Sequence, residues 1–324
     1  MKAAIFASNN GKGHITRSIN IANFLSKYFK IDLYLNIKKI SKIKISKRIN
    51  KINFQHGRVK HKIYALRWSK NYEKLCKYNF IISDNLPEVV NFNSIVFIYA
   101  NFFWHDVLNI NHLNHFKKIN NRLQNKRIPI FGNYMFQKID KKFKTKKIGF
   151  IGKFKGKQKK NKKNILVSLG TADISLKTEK KILNDLRTFF IKVDFENYNF
   201  FIDKKYFLKL KSIFKNIQVA KYDAISLSKI SLAIIKPGFG IITDCLKFGI
   251  PMIGIKYKFN KEFIYNSKIL LSYKLLIATG NLSFIEKKIK LLKISQLNKM
   301  VKVYKNLRWN GERDLLNHLK RSLY

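Results

Sequence analysis

Short, unbroken apolar runs recur along this chain, and most are followed by a breaker and then by a segment with apolar residues at helical spacing. Ala3–Ser8 is the first run. His14–Phe29 follows, with Ile15, Ile19, Ala22 and Leu25 on one side, and Ile31–Leu35 is the next run. Runs apolar at every position, not every second one, predict strands buried on both faces. The chain therefore opens strand, helix, strand, the unit of a parallel sheet. Phe80–Ser83, ending at Asp84, and Ile95–Tyr99 read as further strands of the first half. Asn164–Ser168, Phe200–Asp203, Ile217–Ala220, Ser231–Ile235 and Pro251–Ile255 repeat the pattern in the second. Leu176–Phe190, Ile241–Phe248, Asn281–Lys293 and Ser295–Asn306 carry the helical spacing. Trp309–Leu323, with Leu315, Leu316 and Leu319 on one face, closes the chain. The fold class this predicts is α/β, with parallel sheets in two halves.

Two stretches break the pattern. Lys38–Lys62 is basic and poorly periodic, and reads as short strands and loops. Lys153–Lys163 (KFKGKQKKNKK) is rich in lysine and poor in apolar residues, and reads as a solvated linker. The expected organisation is a first domain over 1–152, the basic linker over 153–163, a second domain over 164–308 and a last helix over 309–324. A length of 324 residues suits two cores better than one.

Composition narrows the picture further. No stretch reaches the roughly 18 apolar residues of a spanning helix, and the apolar start is too short for a signal peptide. Two cysteines, Cys76 and Cys245, cannot build a disulfide framework, so a reducing cytoplasm is expected. The formal net charge of +49 admits three readings. It serves a nucleic-acid partner, or peripheral contact with an anionic membrane, or it follows from a coding bias that enriches Lys, Asn, Ile and Phe together. Nucleic acid is not the expected partner.

The stretch Ser231–Lys256 carries the most chemistry. A buried strand runs into Lys236-Pro237-Gly238-Phe239-Gly240, a short helix follows, Gly249 ends it, and Pro251–Ile255 is the next strand. A glycine turn at a helix N-terminus lets a phosphate approach backbone N–H groups under a favourable dipole. Asp244, about one turn into that helix, is wrongly charged for phosphate but suited to accept bonds from ribose hydroxyls. In the first half, Asn9-Asn10-Gly11-Lys12-Gly13-His14 follows strand one. It is not a dinucleotide fingerprint, because Thr16 stands where a third glycine belongs and strand two ends in Asn36. Ligands of open α/β sheets lie outside the carboxyl ends of strands, which gathers Gly11–His14, Asp84–Pro87 and Asn101–Asp106. Phe102 and Phe103 read as core, while Trp104 and Asp106, with Asp84, are placed at an acceptor cleft. Ser168 and Thr171 either offer hydroxyls to a donor phosphate or cap a helix. His112 and His115, three apart, have no third partner for a metal site.

Pro237-Gly238-Phe239-Gly240 with Asp244, Gly249-Ile250-Pro251-Met252 and Glu262-Phe263 resemble the donor-binding region of nucleotide-sugar glycosyltransferases with the GT-B fold. Asn10-Gly11-Lys12-Gly13-His14 with Arg17, Ser83-Asp84-Asn85-Leu86-Pro87 and Asn101–Asp106 are similar to the glycosyltransferase-like domain of L-arabinokinases. The glycine-His-x-x-Arg element also resembles the bacterial peptidoglycan GlcNAc transferase and the UDP-sugar hydrolase of pseudaminate synthesis. The resemblance departs from the family at Asp244, where Glu is usual, and at Phe103, where a small hydroxyl residue is usual. It implies two Rossmann-like domains with parallel sheets facing across a cleft, and a last helix that crosses back to the first domain. It implies a nucleotide-sugar, in the first place a UDP-sugar, held by Gly13, Arg17, Thr171, Lys236, Gly238, Phe239, Gly240, Asp244 and Glu262. Glu262, on a loop, would meet donor-sugar hydroxyls. The expected reaction is metal-independent, inverting transfer of a hexosyl or N-acetylhexosaminyl group to an acceptor that is a sugar, a lipid-linked molecule or a polysaccharide. His14 is the expected base and no cofactor is expected. The alternatives are hydrolysis of the nucleotide sugar and a non-catalytic protein that binds polyanions or membrane.

Overall fold

A computed structural model describes residues 1–9, 12–40, 44–54, 77–92, 94–107, 113–170, 176–193, 197–256 and 260–323. They form two compact units, residues 1–153 with 308–324, and residues 154–307.

The first unit runs β1 (Lys2–Ala7), α1 (Lys12–Leu25), β2 (Lys30–Leu35), β3 (Ile49–Asn53), β4 (Phe80–Asp84), β5 (Ile95–Tyr99), α2 (Trp104–Val107), α3 (Asn114–Asn125), β6 (Ile130–Asn133) and β7 (Thr145–Ile148). Among the described residues its sheet has seven strands in the order β3-β2-β1-β4-β5-β6-β7, every neighbouring pair parallel. β1 shows why its sequence is apolar throughout. Ala3, Ile5 and Ala7 join Ile15, Ile19 and Ala22 of α1 in one core, and Ala4 and Phe6 join Tyr34, Ile81 and Ile98 in the core on the other face. Burying a side chain the size of Ile or Phe stabilises by about 1.5–3 kcal/mol.

The second unit runs β8 (Asn164–Ser168), α4 (Leu176–Lys192), β9 (Asn199–Ile202), α5 (Lys204–Leu210), β10 (Ile217–Val219), α6 (Ala224–Ser228), β11 (Leu232–Ile235), α7 (Phe239–Lys247), β12 (Met252–Ile255), α8 (Lys261–Ser272), β13 (Thr279–Gly280), α9 (Leu282–Leu291) and α10 (Ile294–Lys305). Its sheet is again parallel, in the order β10-β9-β8-β11-β12-β13. Gly249 leaves α7 with φ +60°, where an L side chain is strained, so the stop there is set by glycine.

The last helix, α11 (Gly311–Leu323), belongs to the first unit. Leu315, Leu316 and Leu319 lie in the same core as Ile148 and Ile151. Glu312 accepts the Gly152 N–H at 2.6 Å and Asp314 the Gly149 N–H at 2.9 Å, so the acidic first turn binds the end of β7 and the loop beyond.

The stretch 153–163, expected as a solvated linker, is not one. From Phe154 onward the stretch is part of the second unit. Lys155 N–H donates to the Lys247 carbonyl at 2.7 Å and Lys159 N–H to Asn298 Oδ1 at 2.6 Å. Lys159 is buried, and its Nζ donates to the Ile230 carbonyl at 2.9 Å. A lysine stem can lie along apolar surface, and here the buried ammonium finds a carbonyl acceptor, which composition does not reveal. Burial lowers that ammonium to about 8.

Candidate active site

Each sheet reverses its strand order once, between β1 and β4 and between β8 and β11. The crevice outside the carboxyl ends of the strands at such a reversal is where open parallel sheets hold ligands. His14 and Asp84 lie at the first of these places and the Lys236–Gly240 turn at the second.

In the first unit, α1 starts just after β1, and the register sets Ala7 beside Asp84 at the end of β4. His14 Nδ1 lies 2.7 Å from Asp84 Oδ1. Arg17, one turn further along α1, donates Nε to Asp84 Oδ2 at 2.9 Å and Nη2 to Oδ1 at 2.6 Å. Ser18 Oγ donates to Oδ2 at 3.3 Å. The guanidinium also covers the Tyr99 ring at 4.6 Å. Asp84 is buried. Burial alone would raise its carboxyl, but the Arg17 charge and then His14 overcome that and hold it below the usual carboxylate range. An ionised carboxylate only accepts, so the nitrogen of His14 at 2.7 Å must carry the proton. The other ring nitrogen, Nε2, then holds the lone pair. Arg17 Nη2 also sits 3.0 Å from Nδ1, but that nitrogen is spent on Asp84. Ser83 Oγ donates to the Leu86 carbonyl at 2.8 Å and accepts the Leu86 N–H at 3.1 Å, and Asn85 takes φ +57°, so the chain leaves Asp84 through a fixed turn.

Two expectations change here. Asp84 does not line an acceptor cleft, because it is buried beneath His14 and Arg17. Arg17, assigned to donor phosphate, is committed to Asp84 by two of its nitrogens. Gly13 is the second residue of α1 and supplies no side chain. Trp104 opens α2. Asp106, on the same helix, is not part of the His14 cluster; it is about half-exposed, with a carboxyl oxygen 4.0 Å from His105 Nε2. Phe103 is buried core as expected, and His105 is buried beside it, its ring stacked on Phe103 and Phe116 and its Nε2 3.2 Å from Asn120 Oδ1.

In the second unit, Lys236 follows β11 and its N–H donates to the Ser168 carbonyl at 2.8 Å. The chain turns tightly, with the Gly238 N–H bonded back to the Lys236 carbonyl at 2.7 Å, and α7 begins at Phe239. A Cβ on Gly238 would come no nearer than 3.8 Å to Phe263 and 4.0 Å to the Lys236 carbonyl. Its φ is −79°, open to any residue. Neither packing nor backbone strain demands glycine there. α8 clamps the turn from the side. Asn266 donates to the Pro237 carbonyl at 2.9 Å, and Glu262 accepts the Phe239 N–H at 3.2 Å. The Lys236 ammonium lies 4.5 Å over the Phe263 ring, and burial lowers its pKa while Glu262 partly offsets that.

Glu262, expected on a loop, stands in the first turn of α8, and Asn260 caps that helix by accepting the Phe263 N–H at 3.1 Å. Gly240 follows Phe239 in the first turn of α7, where helical N–H groups have no acceptor within the helix. Asp244 lies one turn further on, partly buried. Its carboxylate has no hydrogen-bond partner among the described residues. Burial raises it to about 7, and Lys247 offsets only part of that. Thr171 lies outside the described residues.

A network that the sequence did not suggest supports the turn. Asp203, at the end of β9, accepts the Leu169 N–H at 2.8 Å and the Gly170 N–H at 3.1 Å, and Tyr222 bonds both Asp203 and Ser168. It fixes the exit of β8, where Gly170 adopts φ +84°.

No family model and no curated protein matches the sequence. Solved structures do. The glycotransferase of kitacinnamycin aligns with a TM-score of 0.63 at 11% identity, covering 100% of this chain and 99% of its own. The spinosyn forosaminyltransferase SpnP aligns with a TM-score of 0.63 at 8% identity over 100% and 99%. UGT2 of Phytolacca americana, complexed with UDP-2fluoro-glucose and pterostilbene, aligns with a TM-score of 0.64 at 11% identity over 99% of both chains. The fold is GT-B. At these identities the likeness carries the architecture of two Rossmann-like, all-parallel units, and leaves the chemistry to the residues.

Proposed function

We propose that this protein is a glycosyltransferase that moves a sugar from a UDP-sugar to an acceptor hydroxyl, with inversion and with His14 as the base. The observation that carries the reading is the buried, arginine-paired Asp84 set 2.7 Å from His14 Nδ1. This arrangement fixes the imidazole tautomer with Nε2 ready to take a proton. The acceptor oxygen gives its proton to Nε2 as it bonds to the anomeric carbon, and the bond from that carbon to the diphosphate breaks. The electron pair leaves on the diphosphate. The Gly240 N–H in the first turn of α7, the dipole of that helix and Lys236 meet the charge that develops. Asp244 accepts the ribose hydroxyls. Glu262, which accepts the Phe239 N–H, is assigned to donor-sugar hydroxyls in this reading. Two structural neighbours support the choice of donor: the UGT2 complex holds UDP-2fluoro-glucose, and Arabidopsis thaliana UGT89C1 is complexed with UDP-L-rhamnose.

The test is mass spectrometry of UDP-sugars incubated with the protein and a panel of phenolic, sugar and lipid-linked acceptors. A mass increase on one acceptor, lost in His14→Ala, is the expected result. Free sugar without transfer would mean hydrolysis, and absence of any turnover across the panel would overturn the proposal.

A further inference from the structure

The carboxyl edge of the second sheet carries the glycine turn. The amino edge, at the other end of the same strands, has a different surface. Here β8, β9 and β11 begin and α4, α6 and α9 end. Asn164 Nδ2 donates to the Lys229 carbonyl at 3.0 Å and Asn199 Nδ2 to Asn164 Oδ1 at 3.1 Å, which ties the strand starts together. Lys162 Nζ reaches the carbonyls of Ile289, Lys290 and Leu292 at 3.3, 3.3 and 3.2 Å. Lys290 Nζ reaches the Lys192 carbonyl at 3.3 Å, so the ends of α4 and α9 lie side by side. A shallow cavity of about 160 Å³ opens on this edge, lined by Lys157, Lys159, Lys160, Asn161, Ser228 and Lys229 among others.

Of the three most exposed large aliphatic side chains among the described residues, two lie at these element ends and the third near the start of the short α6. Ile191 is 75% exposed, Leu291 73% and Ile225 72%. Ile191 and Leu291 stand at the paired ends of α4 and α9, and Ile225 is one turn from Ser228 at the cavity. Lys160, Lys163, Lys192, Lys229 and Lys293 are exposed along the edge, and none pairs with a carboxylate among the described residues. Glu286 is occupied by Lys290 at 2.6 Å. Asp194 and Glu196 follow α4 in the sequence, outside the described residues.

We propose that this amino edge docks the protein on an anionic lipid bilayer. Isolated aliphatic side chains in a field of lysines suit that surface: the apolar groups enter the acyl boundary and the ammonium groups meet anionic headgroups. Nucleic acid would gain nothing from the aliphatic groups. Its usual readers rely on the forked donors of arginine, and residues 154–307 contain a single arginine, Arg187. Docking here leaves the glycine turn uncovered, because strands of four or five residues place it about 15 Å from the edge.

The test is co-sedimentation with neutral phosphatidylcholine vesicles and with vesicles about one third phosphatidylglycerol, at low and moderate salt. The edge variant Lys160→Glu/Lys163→Glu/Lys229→Glu is set against Lys117→Glu/Lys118→Glu/Lys141→Glu on the first unit, with circular dichroism confirming that each is folded. At about fivefold per surface lysine, the edge variant should lose at least tenfold in binding to anionic vesicles while the control variant keeps most of it. Ile191→Ser/Leu291→Ser should remove at least fivefold of the binding that persists at moderate salt. Equal loss in the two lysine variants would mean diffuse charge and overturn the proposal. So would unchanged binding in the serine variant, or tighter binding of a short DNA duplex than of anionic vesicles. Should the edge variant fail to fold, the same lysines changed to glutamine read the same outcomes.

Discussion

The two strand-reversal points of this molecule are built to opposite plans. In the first unit every charged group of the candidate site is matched: His14, Arg17 and Ser18 converge on one buried carboxylate. In the second, Asp244 carries a carboxylate with no hydrogen-bond partner among the described residues, and Gly238 keeps space that its neighbours do not need. A base must hold one tautomer before substrate arrives, so its surroundings are completed within the fold. A binding surface must leave acceptors and donors for its ligand. The difference divides the labour of the proposed reaction between a preorganised unit and a receptive one.

The largest expected effect is at His14. His14→Ala should cut turnover by about 10²–10⁴-fold while leaving donor affinity nearly unchanged, as kinetics beside calorimetric titration would show. Loss of affinity in step with rate would return His14 to a binding role.

Asp84→Ala should cost about 3–5 kcal/mol of stability, because it leaves the Arg17 charge without its partner in a largely buried place. Its pH behaviour has a definite sign. The folded carboxyl titrates below its unfolded value, so its stabilisation is present above the unfolded pKa and is lost as pH falls through the folded one. Urea unfolding between about pH 2 and pH 6 should show wild-type stability falling in acid and a flatter curve for the variant.

In the second unit the corresponding substitution is Asp244→Asn. A hydrogen bond to a charged group is worth about 1.5–3 kcal/mol, so nucleotide affinity should drop by that amount. The sign here is reversed. Its folded pKa is raised to about 7, so the folded state is favoured below the unfolded pKa and loses stability as pH rises through about 7. Ribose hydroxyls favour the ionised form, so nucleotide binding should release protons near pH 7. Calorimetry in two buffers of different ionisation enthalpy would detect them, and Asp244→Asn should abolish the release. No proton release in the wild-type protein would sink the ribose assignment.

Gly238→Ala should have the smallest effect on the fold, within about 1 kcal/mol by thermal unfolding, since the backbone and the space both admit a methyl group. The same variant should bind nucleotide measurably more weakly. Normal affinity would mean that no ligand comes close to this turn.

Much of the fold was legible because parallel strands buried on both faces are written as unbroken apolar runs, and β1, β8 and β11 lie where their runs do. The glycine turn was legible because breakers have local causes. What could not be read was pairing across sequence distance. His14 and Asp84 are 70 residues apart, and only the placement of β4 beside β1 joins them, so the sequence alone does not pair Arg17 with Asp84. Glu262 on a helix could have been found from Asn260, whose side chain precedes Phe263 at capping distance. The burial of Lys159 had no signal, because the partner that admits it is the backbone carbonyl of Ile230, and a carbonyl has no letter.

The return of α11 to the first unit has a consequence for biosynthesis. The first unit is interrupted by the whole of the second, and Leu315, Leu316 and Leu319 complete its core from the last stretch of the sequence. A ribosome releases residues 154–307 before 308–324, so the second unit has all its parts while the first still lacks a helix. During that interval the helix-facing side of β7 and α1 is uncovered, and the folding order runs opposite to the usual N-terminal-first course.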